Sequence, residues 1–531
     1  MINPDIIYFN GEIHTLDSGD NVYEAIAVKD GKISAVGSNE HILALQTKET
    51  EVIDLNRRTV LPGFTDAHLH LFSLGFNLSY VDCQLHSVEE VVKAIKARAK
   101  TLENDNEWII GWGFDESKYK EGRKLNKWDF KDVKNPVYIT RYCLHEAVIN
   151  EEAIQRAQIS NNTEIEGGII EYTNDGEMTG LLKEKAMSLV ENVLPPYTPK
   201  NMREAMTLAN KHLLQYGVTS VHDAGLGFLV DPFKEFEVLK EMCEEGSLQI
   251  KMYVMVLAEY YQAFLRKYEH KESDQLKIGS LKLFADGTLS GKTAAMFEPY
   301  QASEKTGMLH YTDEELKQQM KIAYDLNKQV AIHAIGDRAI DQALRTFEAL
   351  EQEYPDHKHR PRIEHTTVSN KNIRTRMKKI NAIPVPQPTL IYAAGDMYHL
   401  EKERLDNVFA IKSFIKQGLK PAGSSDSPVV DCNPLLGMYA AMRRETMNEK
   451  SIGKDEEISL KDAVKIYTAN ASYAAYEENI KGSIEVNKYA DLVVLPEGFM
   501  DYSAEEVKKS EVEMTIVNGN VLYEKNESYL V

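Results

Sequence analysis

From Val218 onward the chain alternates short apolar, β-branched segments with longer amphipathic ones, and few folds accept that pattern. Strands are expected at 218–223, 248–256, 278–285, 329–334, 362–367, 382–387 and 420–424, with an earlier one at 60–66. Helices are expected between strands and in the flanking regions, and their starts are marked. Ser87-x-x-Glu90 and Thr312-x-x-Glu315 are capping boxes, and Thr198-Pro199 puts proline at a first helical position. Parallel strands joined through helices make a sheet covered on both faces, and eight of them close into a (β/α)8 TIM barrel. The side chains that do chemistry then stand at the C-terminal ends of the strands.

Both ends of the chain carry a different pattern. Residues 4–60 read as short strands and turns, with Asp30-Gly31 between two alternating runs as a hairpin signal. The far end repeats the style in Ala490-Asp-Leu-Val-Val-Leu and in Thr515-Ile-Val-Asn-Gly-Asn-Val-Leu-Tyr, where Asn518-Gly519 is a second hairpin turn. Neither end has enough strands to bury a sheet face alone. Residues 1–60 and 479–531 are therefore expected to form one small composite β-sandwich, leaving 61–478 as the barrel domain. The stretch from about 100 to 200 breaks the barrel rhythm and reads as a subdomain inserted after the first strand. Its Trp108, Trp112 and Phe114 are expected to form the core of that insertion.

Composition narrows the partners. A formal charge of −20 repels polyanions, so nucleic acid and anionic membranes are excluded as expected partners. No leader pattern opens the chain and no apolar run reaches bilayer length, so a cytoplasmic location is expected. Cys83, Cys143, Cys243 and Cys432 are scattered without a C-x-x-C pair, which argues for reduced thiols and against a thiolate metal cluster. A small-molecule substrate is the expectation that remains, and homo-oligomerisation stays open.

The chemistry-bearing residues fall at strand ends. Leu61-Pro-Gly-Phe-Thr-Asp-Ala-His-Leu-His70 ends in two histidines one residue apart. If 60–66 is one strand, His68 and His70 share a face and can hold one ion. Lys282, His333, His365 and Asp426 end the fourth, fifth, sixth and eighth expected strands. His333 and His365 are 32 residues apart and His365 and Asp426 are 61 apart, which is one and two βα units of roughly 30 residues. The 212 residues from His70 to Lys282 exceed three such units by about the length of the insertion. Four imidazoles and a carboxylate suit zinc or another first-row divalent ion. Lysine is the odd member, because an ammonium repels cations. His222 and Asp223 end the second strand and can line the mouth, while Glu364 is expected, by alternation, to point away from the ligand face.

With those pieces in view, the chain resembles the amidohydrolase superfamily, and within it the YtcJ-like branch that includes N-substituted formamide deformylase. The matching motifs are Leu61-Pro-Gly-Phe-Thr-Asp-Ala-His-Leu-His, Lys282-Leu-Phe-Ala-Asp-Gly-Thr-Leu, His333-Ala-Ile-Gly-Asp-Arg-Ala-Ile-Asp, Ile363-Glu-His and Gly423-Ser-Ser-Asp-Ser-Pro. The resemblance spans nearly the whole length. It implies a metal-dependent hydrolase with one or two divalent ions, zinc first among them, and a Lys282 carboxylated by carbon dioxide into an anionic carbamate. His145 and Glu184 resemble further branch motifs and are candidate substrate contacts.

The leading expectation is hydrolysis of an amide-type carbon–nitrogen bond, with Asp426 as base and then acid. A single-metal deaminase, for which Lys282 would be irrelevant, and a catalytically silent binding protein on the same fold are the alternatives. Elemental analysis of the purified protein is expected to show one to two transition-metal ions per chain. Activity that survives complete chelation would contradict the metal-dependent reading.

Overall fold

The computed structural model describes residues 3–141, 145–357 and 360–525, so Cys143 lies outside the described residues. The chain divides into two compact units, Met1–Leu74 with Met206–Val531, and Gly75–Ala205.

The first unit contains a seven-stranded parallel sheet in sequential order. Its strands are Phe64–Leu69, Val218–Leu226, Lys251–Leu257, Leu276–Phe284, Val330–Ala334, Arg362–His365 and Ile383–Val385. Nearly every strand residue is buried, as a sheet with helices outside and packed side chains inside requires. Helices Pro232–Glu244, Ala258–Tyr268, Asp313–Asp325, Asp337–Glu353 and Lys371–Lys379 alternate with the strands. Their faces explain why. In Asp337–Glu353, Ile340, Ala343, Leu344, Phe347 and Leu350 are buried at spacings of three and four. Thr312 accepts from the backbone N–H of Glu315, and the Glu315 carboxylate accepts in return from that of Thr312, the full capping box.

The expected eighth strand, 420–424, forms no regular ladder, yet its backbone closes the ring. Ala422 N–H donates to Pro384 O (3.0 Å) on one side. On the other, Ala67 N–H donates to Gly423 O (3.1 Å) and Asp426 N–H to His68 O (2.7 Å). Asp426 has a φ of 63°, so the segment bends where a strand would run straight. The result is a (β/α)8 barrel whose last stave is irregular.

The expected strand at 60–66 is two strands. Thr59–Pro62 and Phe64–Leu69 are split at Gly63, where a Cβ would lie 2.3 Å from Thr219 Oγ1, so no larger residue passes. The split sends Thr59–Pro62 into another sheet. That sheet orders Asn520–Glu524, Met514–Val517, Leu492–Leu495, Thr59–Pro62, Glu12–His14 and Val22–Tyr23. A four-stranded sheet, Lys32–Gly37, Ala25–Lys29, Ile6–Phe9 and Glu51–Asp54, shares a core with it that includes Tyr8, Ile26, Val28, Val60, Leu492, Val494 and Ile516. Both hairpin turns are left-handed at two residues, Asp30 (50°) with Gly31 (73°) and Asn518 (49°) with Gly519 (79°). Lys251 Nζ, on the third barrel strand, donates to Asp491 Oδ1 and Asn518 Oδ1, both at 2.8 Å.

The second unit holds a six-stranded sheet in the order Gly168–Tyr172, Met178–Glu184, Glu146–Ile149, Val137–Arg141, Ile109–Phe114 and Val81–Asp82. It begins at Gly75, before the stretch of about 100–200 that breaks the rhythm in sequence, and includes helix Val88–Ala99. Ser87 caps that helix through Glu90 N–H, but Glu90 returns its carboxylate to His86 N–H (2.9 Å) rather than to Ser87. Phe114 is fully buried in its core and Trp108 packs against a second cluster. Cys83, Cys243 and Cys432 are free thiols. No described helix is long and apolar enough to cross a membrane.

Deleting residues 492–531 removes three strands from the six-stranded sheet and leaves Thr59–Pro62 as an open, apolar edge. The truncated protein is expected to lose most of its soluble yield. Retention of both solubility and the full-length melting temperature would show that the two ends fold independently.

Candidate active site

At the C-terminal end of the barrel the sequence brings six polar side chains to one place. His68 is on the first strand and His70 follows it, Lys282 is on the fourth, His333 on the fifth, His365 ends the sixth, and Asp426 lies in the irregular eighth segment. Ligating atoms of His68, His365 and Asp426 all lie within 4.8 Å of one another. Asp426 Oδ1 is 3.5 Å from His68 Nε2 and 3.4 Å from His70 Nε2. The rings of His333 and His365 are 4.3 Å apart, and the Lys282 ammonium works against protonation of both.

What surrounds each histidine decides which nitrogen it offers. Glu364 accepts from His68 Nδ1 at 2.5 Å, which turns His68 Nε2 toward Asp426. Gln387 Nε2 donates to Val385 O (2.8 Å) and Ser424 Oγ (3.0 Å), leaving Gln387 Oε1 to accept from His365 Nδ1 (2.8 Å). His365 therefore presents Nε2 as its lone pair. His333 is the reverse, since its Nε2 donates to Gly287 O (3.0 Å) and Nδ1 is the free lone pair. Burial holds both His333 and His365 neutral, His365 pushed down to about 3 and His333 well below its usual range. Neutral imidazoles with fixed tautomers are what a metal ion requires.

Burial favours the protonated form of Asp426, but the His68 and His70 imidazoles beside it, with His365, outweigh it and hold the carboxyl well below its usual range. Burial also pushes Lys282 down to about 8, against the raising pull of Glu364 and Asp426. His68 Nε2, His70 Nδ1 and Lys282 Nζ are enclosed without a hydrogen-bond partner in the protein. Buried polar atoms without partners are rare in native folds, and such nitrogens on three of the candidate ligands fit a site for a divalent ion. His68, His70, His333, His365 and Asp426 can donate to such an ion directly, whereas Lys282 can do so only once its charge is removed.

Glu364 corrects the reading from alternation. Its carboxylate points inward, receiving from Arg362 Nε (2.8 Å) as well as from His68. The sixth strand ends at His365 with a φ of 68°, followed by Thr366 at 43°. This left-handed turn breaks the two-residue period, so Glu364 and His365 both reach the interior. Burial opposes ionisation of Glu364, but the Arg362 guanidinium and His68 hold it well below the usual carboxylate range.

Two further carboxylates act on backbone. Asp66 accepts from Ser425 Oγ (2.5 Å), Ser425 N–H and His68 N–H (both 3.1 Å), tying the first strand to the eighth segment, and burial raises it to about 6. Asp286 accepts from Ile335, Gly336 and Ala295 N–H at 2.8–3.0 Å, and its Oδ1 is 3.5 Å from His333 Nε2. Each stands in a sequence motif, Thr-Asp-Ala-His and Ala-Asp-Gly, but only the fold shows what it holds.

The weaker candidates have partners of their own. His222 is fully buried beneath the site, its Nδ1 accepting from Arg362 Nη1 at 2.9 Å, and it does not face solvent. His145 and Glu184 belong to the second unit and pair with each other, Nδ1 to Oε2 at 3.1 Å, both largely exposed.

Comparison with known proteins places this geometry. A family model described as an amidohydrolase family matches residues 51–523. A Bacillus subtilis protein named as the amidohydrolase YtcJ is 32% identical over 98% of this chain and 99% of its own length. The N-substituted formamide deformylase of Arthrobacter pascens is 26% identical over 99% of both chains. A crystal structure titled as an uncharacterized metal-dependent hydrolase from Pyrococcus horikoshii superposes with a TM-score of 0.77 at 26% identity, over 94% of this chain and 99% of that one. The chain belongs to the amidohydrolase family of metal-dependent hydrolases, in the branch that holds YtcJ.

Proposed function

We propose that this protein hydrolyses an amide-type carbon–nitrogen bond in a small molecule, with N-substituted formamides as the first class to try. What supports the bond type is the similarity to the Arthrobacter deformylase, and what supports the metal is the enclosed, partnerless His68 Nε2, His70 Nδ1 and Lys282 Nζ. In this reading His68, His70, Lys282, His333, His365 and Asp426 hold one or two divalent transition-metal ions, zinc first among them, and Lys282 is carboxylated. Such ions supply a water of lowered pKa and a polarised carbonyl when bound.

The chain's own residues do the rest. Carboxylation converts the Lys282 amine and carbon dioxide into a carbamate with loss of a proton, turning a buried cation into an oxygen donor. Burial already weakens the ammonium form at that position. Glu364 and Gln387 keep His68 and His365 in fixed tautomers, so the site needs little rearrangement. Asp426 accepts a proton from the attacking water and delivers it to the departing nitrogen, and amide plus water becomes carboxylic acid plus amine. Its left-handed backbone, tied by Asp426 N–H to His68 O at 2.7 Å, fixes where the carboxylate stands.

Asp426→Asn is expected to fold normally and lose roughly 10²–10⁴ of its turnover, the range for removing a proton shuttle. Near-normal turnover would end this role for Asp426. Lys282→Ala is expected to lose metal and activity together, with partial rescue by acetate or formate in the assay. Full activity without rescue would point to the single-metal deaminase chemistry instead.

A further inference from the structure

The first barrel unit exposes one large aromatic ring directly beside the site. Phe228 is 57% exposed, yet its ring stacks on His70 at a centroid distance of 5.1 Å and 30° between planes. It also lies 6.1 Å from Phe284, which ends the fourth strand beside Lys282 and contacts the His333 ring at 5.5 Å. An unbroken aromatic surface therefore runs from His70 through Phe228 and Phe284 to His333.

The exposure of Phe228 is built in. The backbone around it is fastened from below by two buried carboxylates, with Gly225 N–H donating to Asp223 Oδ1 (3.0 Å) and Gly227 N–H to Glu235 Oε2 (2.7 Å). Asp231 caps the following helix through Phe233 N–H (2.9 Å). Gly227 has a φ of 95°, and a Cβ there would meet the Tyr260 ring at 3.0 Å. A loop anchored at both ends of the ring does not fold Phe228 into the core, although burying a phenyl group is favourable. A rigid exposed ring at the edge of a polar site is a recognition surface, since pockets orient ligands by apolar walls around a few polar groups.

We infer that Phe228, backed by Phe284, is a specificity-determining residue that selects substrates carrying an aromatic ring. This rests on the amide-hydrolase reading for the bond cleaved and adds the substituent. One face of Phe228 is taken by His70, and the open side receives the guest ring. The 6.1 Å spacing to Phe284 is too close for a ring to enter between them, so the guest packs on Phe228 with Phe284 at its edge.

The test compares phenylacetamide, its saturated partner cyclohexylacetamide, and propionamide with the metal-loaded protein. Initial rates give kcat/KM ratios, and saturation-transfer NMR of the same amides gives binding independently of turnover. The wild type is expected to favour phenylacetamide over both others, and Phe228→Ala is expected to cut that preference by about 5–10-fold. Phe228→Trp should keep it, and Val22→Ala, an equally exposed apolar residue on the β-sandwich, should leave the ratio alone. An unchanged ratio in Phe228→Ala, or a wild type that treats the phenyl and cyclohexyl amides alike, overturns the inference. If neither these amides nor N-substituted formamides are hydrolysed but phenylacetamide binds preferentially and Phe228→Ala abolishes this, the bond assignment fails while the aromatic wall stands. Hydrolysis with no aromatic preference gives the converse.

Discussion

The order of the whole site depends on one buried guanidinium. Arg362 has no exposed surface, and four of its five donors are spent across the barrel interior: Nε and Nη2 on Glu364, Nη1 on His222 Nδ1 (2.9 Å), and Nη2 again on Ala67 O (2.6 Å). It thereby joins the first, second and sixth strands at one depth. An isolated charge there would be prohibitive, and removing one partner of such a pair typically costs about 3–5 kcal/mol. The arrangement carries its own reason for persisting. Glu364 neutralises Arg362, and the same carboxylate orients His68, so stability of the barrel floor and geometry of the site share a residue.

Much of this is legible in the sequence because a barrel converts spacing into position. Intervals near one and two βα units are enough to put His333, His365 and Asp426 on a common rim, and the end of the fourth expected strand adds Lys282. What spacing does not show is where the backbone leaves its period. Left-handed residues at His365 and Thr366 bring the His365 ring in beside Glu364, and no residue type at those positions signals it, since glycine is absent. The split at Gly63 is hidden for a different reason: the glycine is needed because Thr219, far along the chain, crosses within contact distance. The eighth segment keeps its place in the ring while losing its ladder, because three backbone hydrogen bonds to the seventh and first strands suffice. His145 and Glu184 look like site residues individually, and only their three-dimensional placement reveals that they pair with each other.

The three histidines with settled tautomers also show how little of a metal site is visible in its candidate ligands alone. His68, His365 and His333 offer their lone pairs through Nε2, Nε2 and Nδ1 because Glu364, Gln387 and Gly287 O occupy the opposite nitrogens. Of these partners one is a charged side chain, one an amide and one a backbone carbonyl. A substitution at Gln387 would therefore alter which nitrogen His365 presents while leaving every candidate ligand in the sequence intact.

The strand Thr59–Pro62 pairs on one side with Glu12–His14 and on the other with Leu492–Leu495. Leu492 follows Pro62 by 430 positions. At roughly 5–20 residues per second, a ribosome needs about 20–90 s to supply the missing neighbour. During that interval the growing chain presents Val60 and Leu61, both enclosed in the finished protein, on an unpaired edge. Vectorial synthesis thus gives this architecture a long window in which that edge is open, which a sandwich built from one end of the chain would not have.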